Sequence, residues 1–259
     1  LILGIVNVTP DSFFDGGRHA QPEQAIAHGR RLAEDGADIL DLGGESTRPG
    51  ADEVDAGGEW ERVGPVIAGL SAALPEAPLS IDTYKAEVAI RALEAGASIV
   101  NDVSGCVDPA LREALAQYKP GYALMHSQGN PKDMQRDPRY QDVVEEVFAF
   151  LESRLAALVK AGLPEDRVVV DPGIGFGKTL EHNLELLRRI DRFAALGRPV
   201  LLGVSNKSLW SGLLGLPVAE RGNATQAATA VAAMKGVRLH RVHDVRLTRQ
   251  TLRVVQATG

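Results

Sequence analysis

Residues 167–172 read RVVVDP: one cation, three valines, then Asp171 held by Pro172. An unbroken β-branched run suits a strand buried on both faces, as parallel strands beneath covering helices are. The design recurs along the chain. LILGIVN (1–7), ADILDLGGE (37–45), LSID (79–82), ASIVND (97–102), YALMH (122–126), PVLLGVS (199–205) and RLHRVHD (238–244) are also short and largely apolar, and they too turn polar at their ends. Those ends carry Asn7, Glu45, Asp82, Asn101, His126, Ser205, Arg241 and His243. Strands that become polar where they stop are how a closed α/β barrel gathers a site from distant parts of its sequence.

Helix-period segments fill the gaps. They lie near 22–35, 57–73, 86–95, 109–117, 141–161, 180–195, 223–235 and 246–257. Pro22 suits a first helical position, and Gly36, Gly96, Gly162 and Gly197 suit the stops. In the longest segment Val144, Val147, Phe148, Leu151, Leu155 and Leu158 recur at three- and four-residue steps. Leu184, Leu187 and Ile190 share a face in the 180–195 segment. Eight strand–helix units without a composition break predict a single-domain (β/α)8 TIM barrel. An open doubly wound sheet is the alternative, but it would bring a glycine-rich dinucleotide turn after its first strand, and that turn is missing here.

Composition narrows the function. The 259 residues fit one large α/β domain, and a hydrophobic share of 44% is ordinary for a globular chain. A net charge of -6 argues against nucleic acid and against a membrane surface as partners, since both need a basic face. The single cysteine, Cys106, allows no intrachain disulfide and suits a reducing cytoplasm. The chain begins on Leu1 inside a strand-like run, so further N-terminal residues are expected to precede it.

Two loops stand out, TPDSFFDGGR (9–18) and ESTRPGADEVDAGG (45–58). Phe13 and Phe14 either pack beneath the first loop or cover a ligand. Asp82, Asn101, Asp102 and Asp171 taken singly suit helix caps or loop latches. Taken together, Asp82, Asn101 and Asp171 form an acceptor set that would read the donor edge of a planar amino-pyrimidinone ring. Lys207 is either a solvated loop charge or a ligand for an anion. Arg241 and His243 alternate on one strand, so they face the same way and require an anion or a buried partner. DPGIGFGKT (171–179) resembles a P-loop, but Pro172 stands where that motif needs glycine. Its glycines at 173, 175 and 177 would let backbone approach a flat ligand, with Thr179 capping the next helix. No metal cage and no nucleophile elbow is visible. Mg2+ needs only one or two protein oxygens beside substrate phosphates, and Asn7 is a candidate ligand.

The chain resembles the dihydropteroate synthases, the folate-biosynthesis transferases that sulfonamides inhibit. NVTPDSFFDGG (7–17), GGESTRPGA (43–51), SIDTYKAEVA (80–89), NDVSG (101–105), LMHSQG (124–129), DPGIGFGK (171–178), SNKS (205–208) and RVHDV (241–245) follow the family's order over essentially the whole length. The resemblance implies condensation of 6-hydroxymethyl-7,8-dihydropterin diphosphate with 4-aminobenzoate, by a dissociative Mg2+-assisted displacement, in a cytoplasmic homodimer. It implies a pterin site of Asp82, Asn101, Val103, Met125, Asp171, Gly175, Phe176, Lys207 and Arg241. Phe13, Thr47, Arg48, Pro49, Ser205 and Ser208 would receive 4-aminobenzoate. Asn7, Arg241 and His243 would hold the diphosphate, with Asn7 also on the metal, and Asp82, Lys207, Arg241 and His243 would be the catalytic group. Two positions depart from the family pattern, Asn206 in place of an arginine and Ser127 in place of a methionine. A methyltetrahydrofolate–corrinoid methyltransferase would share the pterin strands but not the two loops. A Schiff-base aldolase using Lys207 and a catalytically silent pterin-binding paralogue are the remaining alternatives.

Overall fold

A computed structural model describes residues 1–9, 20–46, 52–129 and 134–259. Its eight strands are β1 (Ile2–Asn7), β2 (Ile39–Gly43), β3 (Leu79–Asp82), β4 (Ile99–Asp102), β5 (Gly121–Met125), β6 (Val168–Asp171), β7 (Leu201–Leu202) and β8 (Leu239–Val242). All pair in parallel, in the order β6-β5-β4-β3-β2-β1-β8-β7. A single parallel bridge between Val170 and Val200 joins β6 to the approach of β7 and closes the ring. The chain is therefore a TIM barrel, as the repeating strand–helix pattern predicts.

Period-two alternation explains why the strands look almost uniformly apolar. Outward side chains such as Leu40, Leu42, Ile81, Val100, Leu124, Val168 and Val170 join the large core beneath the helices. Inward ones, Leu3, Ile39, Ala123, Leu201 and Leu239, form a separate small cluster inside the barrel. Both faces are buried, so both are apolar, and each fully buried Val or Leu contributes about 1.5–3 kcal/mol. The inner face turns polar over its C-terminal half, beginning at Asp41 and Ser80 one row below the strand ends. There the register sets Asn7 beside Gly43, Gly43 beside Asp82, and Asp82 beside Asn101.

Among the described residues the helices are α1 (Ala20–Glu34), α2 (Ala56–Ala73), α3 (Ala86–Glu94), α4 (Pro109–Tyr118), α5 (Val143–Ala161), α6 (Leu180–Arg188), α7 (Leu209–Leu214), α8 (Gly222–Met234) and α9 (Val245–Thr258). Caps account for several boundaries. Asp142 accepts from the N–H groups of Val144 and Glu145 to start α5, and Gly162 ends that helix at φ +110°. Thr179 and His182 exchange side-chain and backbone bonds in a capping box that starts α6.

Three expectations need correction. Pro22 is the third residue of α1, not the first. It remains within the first turn, where its missing N–H has no intrahelical acceptor to lose. The 180–195 segment is not one helix, because beyond Arg189 it tightens into a 3₁₀ stretch over Ile190–Leu196. Ile190, Phe193 and Leu196, all buried, fall at three-residue spacing, which is the 3₁₀ period. Helix α7 escaped the sequence reading because six residues are too few to show a period. It is fixed instead by Trp210, which is buried and donates its indole N–H to the Val204 carbonyl at 2.9 Å.

Candidate active site

Five of the candidate residues converge on the C-terminal mouth of the barrel. Arg241, near the end of β8, donates through Nη2 to Oδ2 of Asp82 on β3 at 2.6 Å. Through Nε it donates to Oδ2 of Asp41 on β2, also at 2.6 Å. Asn101 on β4 donates from its amide to that same Asp41 oxygen at 3.1 Å. Asp171, at the end of β6, accepts the Gly173 N–H on Oδ1 at 2.7 Å. Lys207, past β7, donates to the Ile174 carbonyl and lies 4.7 Å from the centre of the Phe176 ring.

Burial makes these charges interdependent. Desolvation pushes the Asp82 carboxyl up to about 7; the Arg241 cation opposes that shift and the Asp41 charge adds to it. Asp171 is also raised by burial, against the pull of Lys207. Lys207 moves the other way, down to about 8, because burial disfavours its ammonium more than Asp171 supports it. A buried ion is costly unless it is paired: Arg241 pairs with Asp41 and Asp82, while Asp171 and Lys207 bond to the Gly173 N–H and the Ile174 carbonyl.

The other described candidates lie at or just past the C-terminal ends of the strands. Met125 faces inward at the end of β5, next to Asp171 in register, and Val103 is buried just past β4. Gly175, at φ +87°, donates its N–H to Asn183 Oδ1 at 2.7 Å, which anchors the turn that presents Phe176. Asn7 ends β1, half-buried. His243 follows β8, immediately before Asp244 caps α9. Ser205 is buried; its hydroxyl accepts the His243 main-chain N–H at 3.3 Å and bonds ring Nδ1 at 2.9 Å. That serine therefore orients the histidine. Ser208 is exposed immediately before α7. Phe13, Thr47, Arg48 and Pro49 lie outside the described residues. Asn206 adopts φ +56°, a left-handed conformation that asparagine tolerates better than most side chains. Ser127 is half-buried and donates to the Gly129 carbonyl at 3.4 Å.

Some residues resolve into structural parts. Asp102 is a latch: its carboxylate accepts from the N–H groups of Ser104 and Cys106 and from the Tyr122 hydroxyl. His126 is buried, takes Lys178 Nζ on Nδ1 at 2.9 Å, and is pushed down to about 3 by that burial. The glycines of 171–179 do not all serve a ligand. A side chain at Gly173 would overlap the His126 carbonyl oxygen, and one at Gly177 the Gln128 carbonyl oxygen. These two glycines let the loop after β6 pack on the loop after β5, while Gly175 alone abuts Lys207.

Sequence reasoning passed over several residues. Asp41 is fully buried, yet it was hidden inside ADILDLGGE; a charged residue at an inward position of a strand was the available signal. Lys85 bridges Glu45 and the buried Glu59, the latter at 2.6 Å. Tyr84 also donates to Glu45, and the Val54 N–H reaches Glu45 at 3.4 Å. Both ends of the long connection between β2 and α2 are thereby tied to the start of α3. Among the described residues no group of three or more His, Cys, Asp or Glu side chains could hold a metal ion. The donor set instead suits a hard cation held mainly by a ligand's own phosphates, for which the half-buried Asn7 offers a neutral carboxamide oxygen.

The chain as a whole has counterparts among known proteins. Residues 3–243 match the pterin binding enzyme family. The dihydropteroate synthase of Neisseria meningitidis serogroup C is 46% identical over 263 residues, spanning 100% of this chain and 92% of that protein. The Xanthomonas albilineans dihydropteroate synthase structure with 4-aminobenzoic acid superposes with a TM-score of 0.93 at 47% identity, covering 99% of this chain and 92% of the other. The structure of the enzyme from that organism in complex with 7,8-dihydropteroate gives a TM-score of 0.90 at 43% identity, with coverage of 99% and 92%. With the barrel fold, the family match over residues 3–243 and the full-length similarity in agreement, the chain belongs to the dihydropteroate synthase family of pterin-binding transferases.

Proposed function

We propose that the barrel mouth transfers a pterinylmethyl group from 6-hydroxymethyl-7,8-dihydropterin diphosphate to the amine of 4-aminobenzoate. The carrying observation is the convergence of Asp82, Asn101 and Asp171, three inward acceptors, with Arg241 and Lys207 on one mouth. Carboxylate and amide oxygens complement the amino and ring N–H donors of a pterin. Each such bond to a charged group is worth about 1.5–3 kcal/mol. Lys207 completes the set toward the ring carbonyl, and Val103, Met125, Gly175 and Phe176 supply the walls.

The chemistry breaks the bond between the exocyclic methylene and the diphosphate oxygen. Pyrophosphate takes the electron pair, and the positive charge left on the methylene spreads into the dihydropterin ring. The Asp82 carboxylate stabilises that charge electrostatically. The arylamine nitrogen then attacks, and it loses a proton as the carbon–nitrogen bond forms. Arg241 and His243 bind the diphosphate. Bound Mg2+, held by Asn7 and the phosphates, would further neutralise the leaving group. Phe13, Thr47, Arg48 and Pro49, with Ser208 and Ser205 toward the rigid wall, are assigned to the aminobenzoate side. No covalent link to the protein is needed.

A homodimer in the cytoplasm fits the same reading. Leu213, Leu214, Val218, Val231, Met234 and Val254 are exposed on and around α7, α8 and α9, an apolar surface suited to a second copy. The one cysteine, Cys106, is buried and unpaired, as a reducing compartment permits. No helix among the described residues is long and apolar enough to cross a membrane.

Calorimetric titration with 6-hydroxymethylpterin, which lacks the diphosphate, tests the pterin assignment. Wild type should bind it, and Asp171→Asn should bind at least about 10-fold more weakly. Equal affinity for the two proteins would overturn the assignment.

A further inference from the structure

Among the described residues, Asp41 is the one site-facing carboxylate without a role so far. It lies one pleat below the row of Asn7, Gly43, Asp82 and Asn101, and it is wholly buried. Its Oδ2 receives two donors, Arg241 Nε and Asn101 Nδ2, while its Oδ1 has no hydrogen-bond partner among the described residues. A barrel that needed only filling at this level would do better with an apolar side chain.

The bond to Asn101 carries information. An ionised carboxylate only accepts, so the asparagine must turn its NH2 toward Asp41. The planar amide then directs its carbonyl oxygen away from Asp41, toward the mouth. An amide turned the other way would offer two donors to the donor edge of a pterin. Arg241 is held in a comparable way. Asp41 grips the Nε edge and Asp82 grips Nη2. When a pterin's donors take up Asp82, the Asp41 grip remains, and the guanidinium can turn its Nη groups to the diphosphate about that fixed point.

We propose that Asp41 is a positioning residue of the pterin site: it sets the Asn101 amide with its acceptor facing the pterin, and it is the pivot from which Arg241 passes from Asp82 to the diphosphate. This rests on the pterin diphosphate reading given above.

The test is a double-mutant cycle in the full chain. Wild type, Asp41→Asn, Asn101→Ala and the double variant are titrated with 6-hydroxymethylpterin, and thermal melts confirm that each is folded. Asp41→Asn should weaken binding about 10- to 100-fold. The double variant should bind within about 2-fold of the weaker single variant, because both changes remove one interaction. Asp41→Asn should also raise KM for pterin diphosphate more than it weakens 6-hydroxymethylpterin, since only the former uses the Arg241 pivot. Wild-type affinity in Asp41→Asn, or penalties that multiply in the double variant, would overturn the proposal. If Asp41→Asn does not fold, Asp41→Ser is judged by the same criteria. Failure of wild type to bind the pterin would instead refute the functional reading itself.

Discussion

Arg241 and Asp82 meet across the barrel, Nη2 to Oδ2 at 2.6 Å, joining β8 to β3 across 159 residues of sequence. The pair places the strongest cation of the mouth against the carboxylate assigned to charge stabilisation. Substituting Asp82 therefore removes two things, a ligand acceptor and one of the two anchors of Arg241. Asp82→Ala should lower kcat about 100- to 1,000-fold, the usual cost of losing one preorganised electrostatic group. Steady-state kinetics check this, and near-normal kcat would remove Asp82 from the chemistry.

A pH profile should carry the signature of the same cluster. Asp82 must be ionised to bind and stabilise, and Lys207 must be protonated to donate. With Asp82 raised to about 7 and Lys207 lowered to about 8, kcat/KM for pterin diphosphate should fall on both sides of a narrow optimum. The acid limb is loss of the Asp82 charge, and the alkaline limb is loss of the Lys207 charge. Stability runs differently. A carboxyl whose folded pKa exceeds its ordinary 3.8 stabilises the fold fully below that value and loses the contribution as pH rises toward 7. A flat kcat/KM from pH 5.5 to 9, a range chosen as roughly 1.5 units below and 1 above the two values, would contradict these assignments.

Glycine substitutions separate loop packing from simple backbone strain. Gly197, at φ +68°, has open space where a Cβ would sit, so Gly197→Ala should cost only the left-handed penalty of roughly 1–2 kcal/mol. Gly173 has nearly the same φ, +69°, but its Cβ would strike the His126 carbonyl. Gly173→Ala should destabilise by clearly more and weaken pterin binding as well, because the loop it displaces carries Gly175 and Phe176. Chemical denaturation and pterin titration of the two variants make the comparison. Equal losses would mean the close packing is dispensable.

Lys85 ties the foot of the connection between β2 and α2, so its removal should reach the second substrate. Lys85→Met leaves Glu59 buried without its cation, at a cost of about 3–5 kcal/mol. KM for 4-aminobenzoate should rise while affinity for 6-hydroxymethylpterin stays near wild type. A loss confined to pterin affinity would detach Lys85 from that connection.

The barrel was legible in the sequence because its signal is repetitive. RVVVDP, LSID and their counterparts announce buried parallel strands, and Asp82, Asn101, Asp171 and Arg241, at or near the ends of their runs, fall at the mouth. What stayed hidden depends on direction or on distant partners. Asp41 sits mid-run, and only the inward parity of β2 tells that it faces Asn101 and Arg241. Asn101 and Asp102 are neighbours in sequence, yet alternation sends one to the site and the other to the Ser104–Cys106 turn. The sequence pattern of Arg241 and His243 calls for an anion or a buried partner; the structure supplies two carboxylates for the first and Ser205 for the second. Gly173 and Gly177 suggest a ligand in the sequence, since nothing local reveals that the loop after β5 lies against them.

Turnover tests the central claim most directly. Purified chain with 6-hydroxymethyl-7,8-dihydropterin diphosphate, 4-aminobenzoate and Mg2+ should release pyrophosphate and form 7,8-dihydropteroate in equal amounts, dependent on both substrates. Binding of the pterin with neither product formed, under conditions where the folded chain is intact, would contradict the account.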